Sequence, residues 1–198
     1  MTRRIARGLA AAVAAGACLA ATSGCDWLAS QIPPGPTPGT VQPTSTASES
    51  AQDRTMRLDK EAAKNAYLNG WAESDRLLMA GGADKPTKKL SDNLSGTYLS
   101  DTVEALKQEK AYGWHSDRST PTRVTADQGW SATKIELTAC EDNSKVKFFD
   151  KSGKEVNKKR DAYLIVQTLV AKKTGDRWKI DSQTSRPVKT FDNEAGCS

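Results

Sequence analysis

Ala63-Lys64-Asn65-Ala66-Tyr67-Leu68-Asn69-Gly70-Trp71-Ala72-Glu73-Ser74-Asp75-Arg76-Leu77-Leu78 is the stretch on which the fold turns. Ala63, Tyr67, Trp71, Ser74 and Leu78 recur at steps of three and four, with Ala62, Ala66 and Leu77 beside them. That spacing is the apolar stripe of an amphipathic helix of several turns. Gly81-Gly82 ends it. Tyr67 and Trp71 lie one turn apart, so both are expected to face a sheet and to be largely buried. Lys64, Glu73 and Asp75 fall on the hydrophilic side, where water is the expected neighbour.

Downstream of that helix, Pro86 opens a short second one that reaches Leu90 or Leu94. Ser100 is the expected cap of a third, with Asp101 in its first turn. Val103, Leu106 and Tyr112 would be its buried face, and Gly113 closes it. The period then changes from helical to alternating. Thr122 to Ala126 reads as a strand. Trp130 to Cys140 reads as a longer one, with Ile135, Leu137 and Ala139 on one face and Lys134, Glu136 and Thr138 on the other. Val146 to Phe149 is short. Ala162 to Lys172 is apolar on both faces, as a central strand is, and Ile165 and Leu169 are expected inward with Ile135 and Leu137. Thr174-Gly175-Asp176 turns the chain into Arg177-Trp178-Lys179-Ile180-Asp181. Helices first and then an antiparallel meander is an α+β pattern. The folded domain is expected over residues 58–198.

The opening helix with Tyr67 and Trp71, two shorter helices, and a sheet that ends in Gly175-Asp176-Arg177-Trp178-Lys179-Ile180 resemble the nuclear transport factor 2-like fold over Leu58 to Val188. The resemblance implies a cone, with helices on the concave face of a curved antiparallel sheet and an apolar pocket between them. Tyr67, Trp71, Tyr98 and Tyr112 are the candidate pocket or core lining. The superfamily includes isomerases and dehydratases that place a carboxylate base and a tyrosine or histidine in the cone. Here the only histidine is His115, beside Trp114 in what reads as a loop, and the pattern places no carboxylate inside. No catalytic residue is assigned. Ser91-Asp92-Asn93, Lys173-Thr174-Gly175 and Ser131-Ala132-Thr133-Lys134 match motifs of serine penicillin-recognising enzymes. Their order is wrong for that chemistry, since the S-x-x-K follows the S-D-N and lies in a strand. There is no HExxH, CxxC, P-loop or Rossmann glycine pattern, so no metal or cofactor is expected.

At the other end of the chain, Arg3, Arg4 and Arg7 stand before and at the start of an apolar run from Ile5 to Ala21, followed by Ser23-Gly24-Cys25. A positive start, a short apolar core and small residues before a cut describe a secretory signal. Ser23-Gly24-Cys25 resembles the lipobox of bacterial lipoproteins, with Thr22 where that family usually has Leu. The resemblance implies a signal peptide over 1–24 and a lipid on Cys25, which would anchor the protein to the outer face of the cell membrane. Small lipid-anchored proteins of actinobacteria often carry a nuclear transport factor 2-like domain. An ordinary signal peptide cut near Ala21 is the alternative. An uncleaved membrane anchor would need a longer apolar run. Residues 25–57 then read as a disordered tether: Pro33, Pro34, Pro36, Pro38 and Pro43 sit among Thr, Ser, Gly and Gln, too poor in apolar residues to order.

Three of the net +5 charges belong to Arg3, Arg4 and Arg7, so the remainder is close to neutral. That gives no basis for a nucleic-acid partner. With Cys18 and Cys25 in the leader and at its junction, Cys140 and Cys197 are left, and a pair in an oxidising compartment reads as a disulfide. Two function classes follow. One is an anchored, non-catalytic domain that binds a small ligand or a cell-envelope protein. The other is an anchored isomerase or dehydratase. A carboxylate facing a water-filled cone would favour the second, and a filled cone the first.

Overall fold

The computed structural model describes residues 49–156, 163–191, 196 and 197, with the backbone alone at 126–128. Residues 1–24, Cys25 and the tether as far as residue 48 lie outside them. Among the described residues three helices, α1 (Ala51–Met79), α2 (Lys88–Asn93) and α3 (Gly96–Tyr112), precede six strands. These are β1 (His115–Ser116), β2 (Thr122–Trp130), β3 (Lys134–Asp142), β4 (Phe148–Phe149), β5 (Leu164–Thr174) and β6 (Arg177–Val188). β2, β3, β5 and β6 form one antiparallel sheet in that order, and β1 pairs with β4 apart from it. Irregularities in register between Thr125 and Gly129 and between Val170 and Ala171 bend the sheet. The chain is α+β, with helices packed on one face of a curved antiparallel sheet. No helix among the described residues is long and apolar enough to cross a membrane.

The first helix begins at Ala51, earlier than the expected start at Leu58, so residues 51–57, expected as part of a tether, are helical. The reason is local. Ser50 is the N-cap and accepts from the Asp53 amide at 3.1 Å, while its hydroxyl donates to the Asp53 carboxylate at 2.6 Å. An Arg57–Glu49 ion pair supports the same exposed turns. From Asp59 onward the helix buries Ala63, Ala66, Tyr67, Gly70, Glu73, Asp75 and Leu77. Gly70 sits at the centre of that stripe because a Cβ there would lie 2.5 Å from Leu94 Cδ2. The helix packs on β2 and β6 and on both other helices.

The third helix starts at Gly96 with Ser95 as N-cap, not at Ser100. Ser100 instead donates back to the Thr97 carbonyl from inside the helix. The Ser95 amide donates to the Ile180 carbonyl at 2.7 Å, which ties the helix start to β6. Gly113 ends the helix in the left-handed conformation, φ 69°, with its amide on the Lys110 carbonyl. Leu106 is buried as expected, but Tyr112 is 62% exposed and makes a tilted ring contact with Trp114 outside the core.

Along β3, Ile135, Leu137 and Ala139 are fully buried under the helices, and Leu169, Ala171 and Ile180 meet them from β5 and β6. Ile165, expected inward, is only half-buried near the end of the sheet. Ser131–Thr133 form the connection between β2 and β3, so the S-x-x-K runs from that connection into the first residue of β3, Lys134, and does not lie within a strand. On the opposite face Cys140 joins Cys197 in a disulfide, packed with Val166, Val188 and Phe191.

Candidate functional site

The alternation that buries Ile135, Leu137 and Ala139 puts the next odd residue, Glu141, on the same inward face. It is 2% exposed. β5 contributes Gln167 from the same row as Leu169 and Ala171, and α1 contributes Tyr67. The Tyr67 hydroxyl donates to Glu141 Oε1 at 3.0 Å, and Gln167 Nε2 donates to the same oxygen. Tyr98 of α3 closes the group, its ring 6.4 Å from that of Tyr67. A carboxylate therefore does lie inside the helix–sheet interface, contrary to the sequence expectation.

A second buried carboxylate stands nearby on α1. Asp75 was expected at the hydrophilic side, yet it is 5% exposed, because the Thr120 amide donates to its Oδ2 at 2.8 Å. Thr120 in turn donates from its hydroxyl to Asn143 Oδ1, and its carbonyl accepts from Trp71 Nε1 at 3.3 Å. Glu73, also expected in water, is buried by Arg76 and the Thr87 hydroxyl, which anchors the loop before α2.

Burial raises Glu141 to about 7, with the Asp75 charge adding to it and the Tyr67 and Gln167 hydrogen bonds opposing. Burial raises Asp75 to about 6, opposed by the Thr120 amide. Tyr67 is pushed well up by burial and by the neighbouring Glu141 charge, and Tyr98 upward by the same two causes. Neither phenol ionises near neutral pH. The pair able to change charge there is Glu141 and Asp75.

Beside this cluster a cleft of about 190 Å³ opens between α1, α3 and the sheet. Trp71, Tyr98, Asp101, Thr102, Gln167 and Gln183 contribute to its lining, and Glu141 does not. Tyr67 and Gln167 occupy the space in front of the carboxylate.

Of the four aromatic candidates, Tyr67, Trp71 and Tyr98 converge here. Tyr67 is fully buried and stacks on Trp71, centroids 5.8 Å apart. Trp71 is half-buried, less than expected, because one side of it forms the cleft wall. Tyr112 takes no part. His115 lies in β1 with its ring 6.0 Å from Phe149, away from these residues in a separate ribbon. Among the described residues no group of three His, Cys, Asp or Glu side chains is placed to hold a metal ion.

No protein-family model matches the sequence, and no curated protein matches it either. Solved structures do overlap it. The intermembrane-space region of a chloroplast protein is 18% identical, with 66% of this chain and 98% of that one covered at a TM-score of 0.46. A protein of the nuclear transport factor 2-like family from Streptomyces avermitilis is 15% identical over 68% of this chain and 99% of its own, TM-score 0.44. A nuclear transport factor 2-like protein with a cystatin-like fold from Novosphingobium aromaticivorans is 10% identical over 75% and 95%, TM-score 0.37. Overlaps this loose are silent on activity. The α+β architecture stands on the chain's own elements and sheet order.

Proposed function

We propose that this chain is a lipid-anchored, extracytoplasmic protein whose domain binds a small ligand in the cleft beside Tyr98 and Gln167 without transforming it. The observation that carries the reading is the packing of Glu141. Its carboxylate is enclosed by Tyr67 and Gln167, so the one inward acid on β3 serves to hold the cleft wall and not to meet a substrate. The cleft itself is small and open, and its lining combines aromatic rings with a few polar groups.

An isomerase- or dehydratase-type enzyme is the second reading. It is favoured by the elevated Glu141, a carboxylate poised to exchange a proton near neutral pH. Small polar molecules that bind the full chain separate the two. Under the binding reading, mass spectrometry recovers each ligand unchanged, and Glu141→Gln binds as well as the parent. Conversion of a ligand by the parent and not by Glu141→Gln establishes the enzyme instead. The anchor is tested separately: Cys25→Ala moves the protein from the membrane fraction to the soluble fraction or stops its maturation. A variant that fractionates and migrates like the parent overturns it.

A further inference from the structure

Three large apolar side chains stay exposed among the described residues, and two of them, Tyr112 at 62% and Met79 at 40%, stand at one end of the domain. The last turns of α1 and α3 and the β1–β4 ribbon build that end. The Ala83 amide donates to the Leu106 carbonyl at 3.2 Å, which brings the exit of α1 against α3. The Trp114 amide donates to the Glu109 carbonyl at 2.9 Å, and the Trp114 ring lies 4.9 Å from that of Tyr112. Trp114, His115, Phe148 and Phe149 follow as half-buried rings outside both core clusters.

Basic side chains border these rings. In the turn after β4, Asp150 Oδ1 accepts from the Ser152 amide at 2.8 Å and from the Lys154 amide at 3.0 Å. The turn lays the Lys151 stem along Gly113, between Tyr112 and Trp114, where a Cβ would collide with it. Lys110, Arg118 and Lys147 are paired with Asp84, Asp117 and Glu155. Lys151 and Lys154 are exposed and make no ion pair among the described residues. Residues 145–160 hold seven Lys and Arg against Asp150 and Glu155 alone, with Lys158, Lys159 and Arg160 outside the described residues.

Tyr and Trp rings with a polar edge, beside lysines whose stems cover apolar surface, suit the headgroup layer of a bilayer. Lysine is depleted at protein–protein contacts, whereas each lysine near an anionic leaflet is attracted to it. We infer that this end of the domain docks on the anionic surface of the membrane, with Tyr112 and Trp114 at headgroup level and Lys151 and Lys154 on lipid phosphates. This rests on the anchored reading above and adds a contact that orients the domain. The geometry permits it. Residues 26–50 extend to about 80 Å, and the 29 residues of α1 are about 43 Å long, so the far end of the helix reaches the bilayer. The tether also keeps the domain at high effective concentration beside the surface, so a weak attraction is enough.

The test places the full chain, purified with its lipid, in vesicles of phosphatidylcholine alone or mixed with an equal part of phosphatidylglycerol. Bromine near the headgroups of a fraction of the phosphatidylcholine quenches any tryptophan that reaches them. The difference between the parent and Trp114→Phe isolates Trp114. Trp114 is expected to be quenched in the anionic vesicles only, and released at about 1 M salt, where the screening length is about 3 Å. The double variant Lys151→Gln, Lys154→Gln changes two exposed turn positions and is expected to fold as the parent. Its docking is expected to weaken about 25-fold, fivefold for each lysine, which returns Trp114 to its emission in neutral vesicles. Trp114 unquenched in both vesicles while the chain stays bound overturns the docking and leaves the anchor standing. Quenching that is equal in both vesicles, or unchanged in the double variant, overturns the electrostatic assignment. Trp114 emission that follows protein density and not lipid charge makes a second copy the occupant and overturns it too. A chain that washes off neutral vesicles refutes the anchor and not the docking: the parent is then expected still to sediment with anionic vesicles, and the double variant to stay in solution. A chain that sediments with neither vesicle overturns both.

Discussion

The Tyr67 hydroxyl donates to Glu141 Oε1 across 3.0 Å, joining α1 to β3 between residues 74 positions apart. Both groups are buried, so the bond is the polar fastening of an otherwise apolar helix–sheet contact. Tyr67→Phe removes the donor and leaves the carboxylate with Gln167. A hydrogen bond to a charged group is worth about 1.5–3 kcal/mol and a neutral one about 1. The expected loss in urea unfolding is therefore about 2 kcal/mol at pH 8, where Glu141 is ionised, and about half that at pH 5. An equal loss at both values means that Glu141 does not change charge in between.

The same carboxylate sets the pH dependence of the fold. Glu141 moves from an ordinary 4.5 to about 7 and Asp75 from 3.8 to about 6 on folding. Both shifts are upward, so between the two values the folded state holds more protons than the unfolded state, and stability falls as pH rises. The stability is fully present below the ordinary values and is lost through the raised ones. For Glu141 alone the loss is on the order of 3 kcal/mol. Asp59 and Glu73 are shifted the other way: burial raises Asp59, but the bonds from Trp178 and Lys173 outweigh it, and the Arg76 bond lowers Glu73. Their contribution is lost as the solution turns strongly acid. The melting temperature followed by circular dichroism is expected to peak near pH 5 and to drop by pH 8, by less in Glu141→Gln. A parent flat from pH 5 to 8 contradicts the burial of ionisable acid in this core.

The helix stripe and the β3 alternation were readable because each is local and periodic. Ala63, Tyr67, Leu77, Ile135, Leu137 and Ala139 are buried where the period puts them. Extending that alternation by one more step reaches Glu141, and the matching row on β5 reaches Gln167. That was the available signal for the polar cluster, and stopping the strand at Cys140 hid it. Asp75 and Glu73 were not readable in this way. Their partners, the Thr120 amide and the Thr87 hydroxyl, come from loops whose approach no period encodes. Tyr112 was misplaced because it is the last residue of its helix, where Gly113 turns the chain and the buried face is no longer defined by helical phase.

The Cys140–Cys197 bridge ties the chain's last residues to β3 on the face away from the helices. It closes a loop with a sequence separation of 57 residues, worth about 4 kcal/mol in the chain-entropy account. Non-reducing peptide mapping is expected to find the two cysteines joined. The double variant Cys140→Ser, Cys197→Ser is expected to unfold at lower denaturant while keeping the cleft residues in place, since Gln167 and Tyr98 pack on the other side of the sheet. Complete alkylation of both cysteines without reductant rules the bridge out.

Asp59 explains why the β5–β6 hairpin carries a tryptophan and a lysine at its neck. Lys173 and Trp178 are cross-strand partners, with the ammonium 5.6 Å from the indole centroid. Both reach the same acceptor on α1: Trp178 Nε1 donates to Asp59 Oδ1 at 2.8 Å and Lys173 Nζ at 3.1 Å. Trp178 is 5% exposed, so Asp59→Ala strands a buried donor and is expected to cost about 1–3 kcal/mol. Asp59→Asn keeps a side-chain acceptor and is expected to cost less. The Lys173 side chain is 33% exposed, and its share of the ion pair is screened by water, so Lys173→Ala is expected to cost under about 1 kcal/mol. Denaturant unfolding of the three variants checks the order. If Lys173→Ala costs as much as Asp59→Ala, the ion pair and not the indole bond holds the hairpin to the helix. If none of the three changes stability, α1 is docked by its apolar stripe alone.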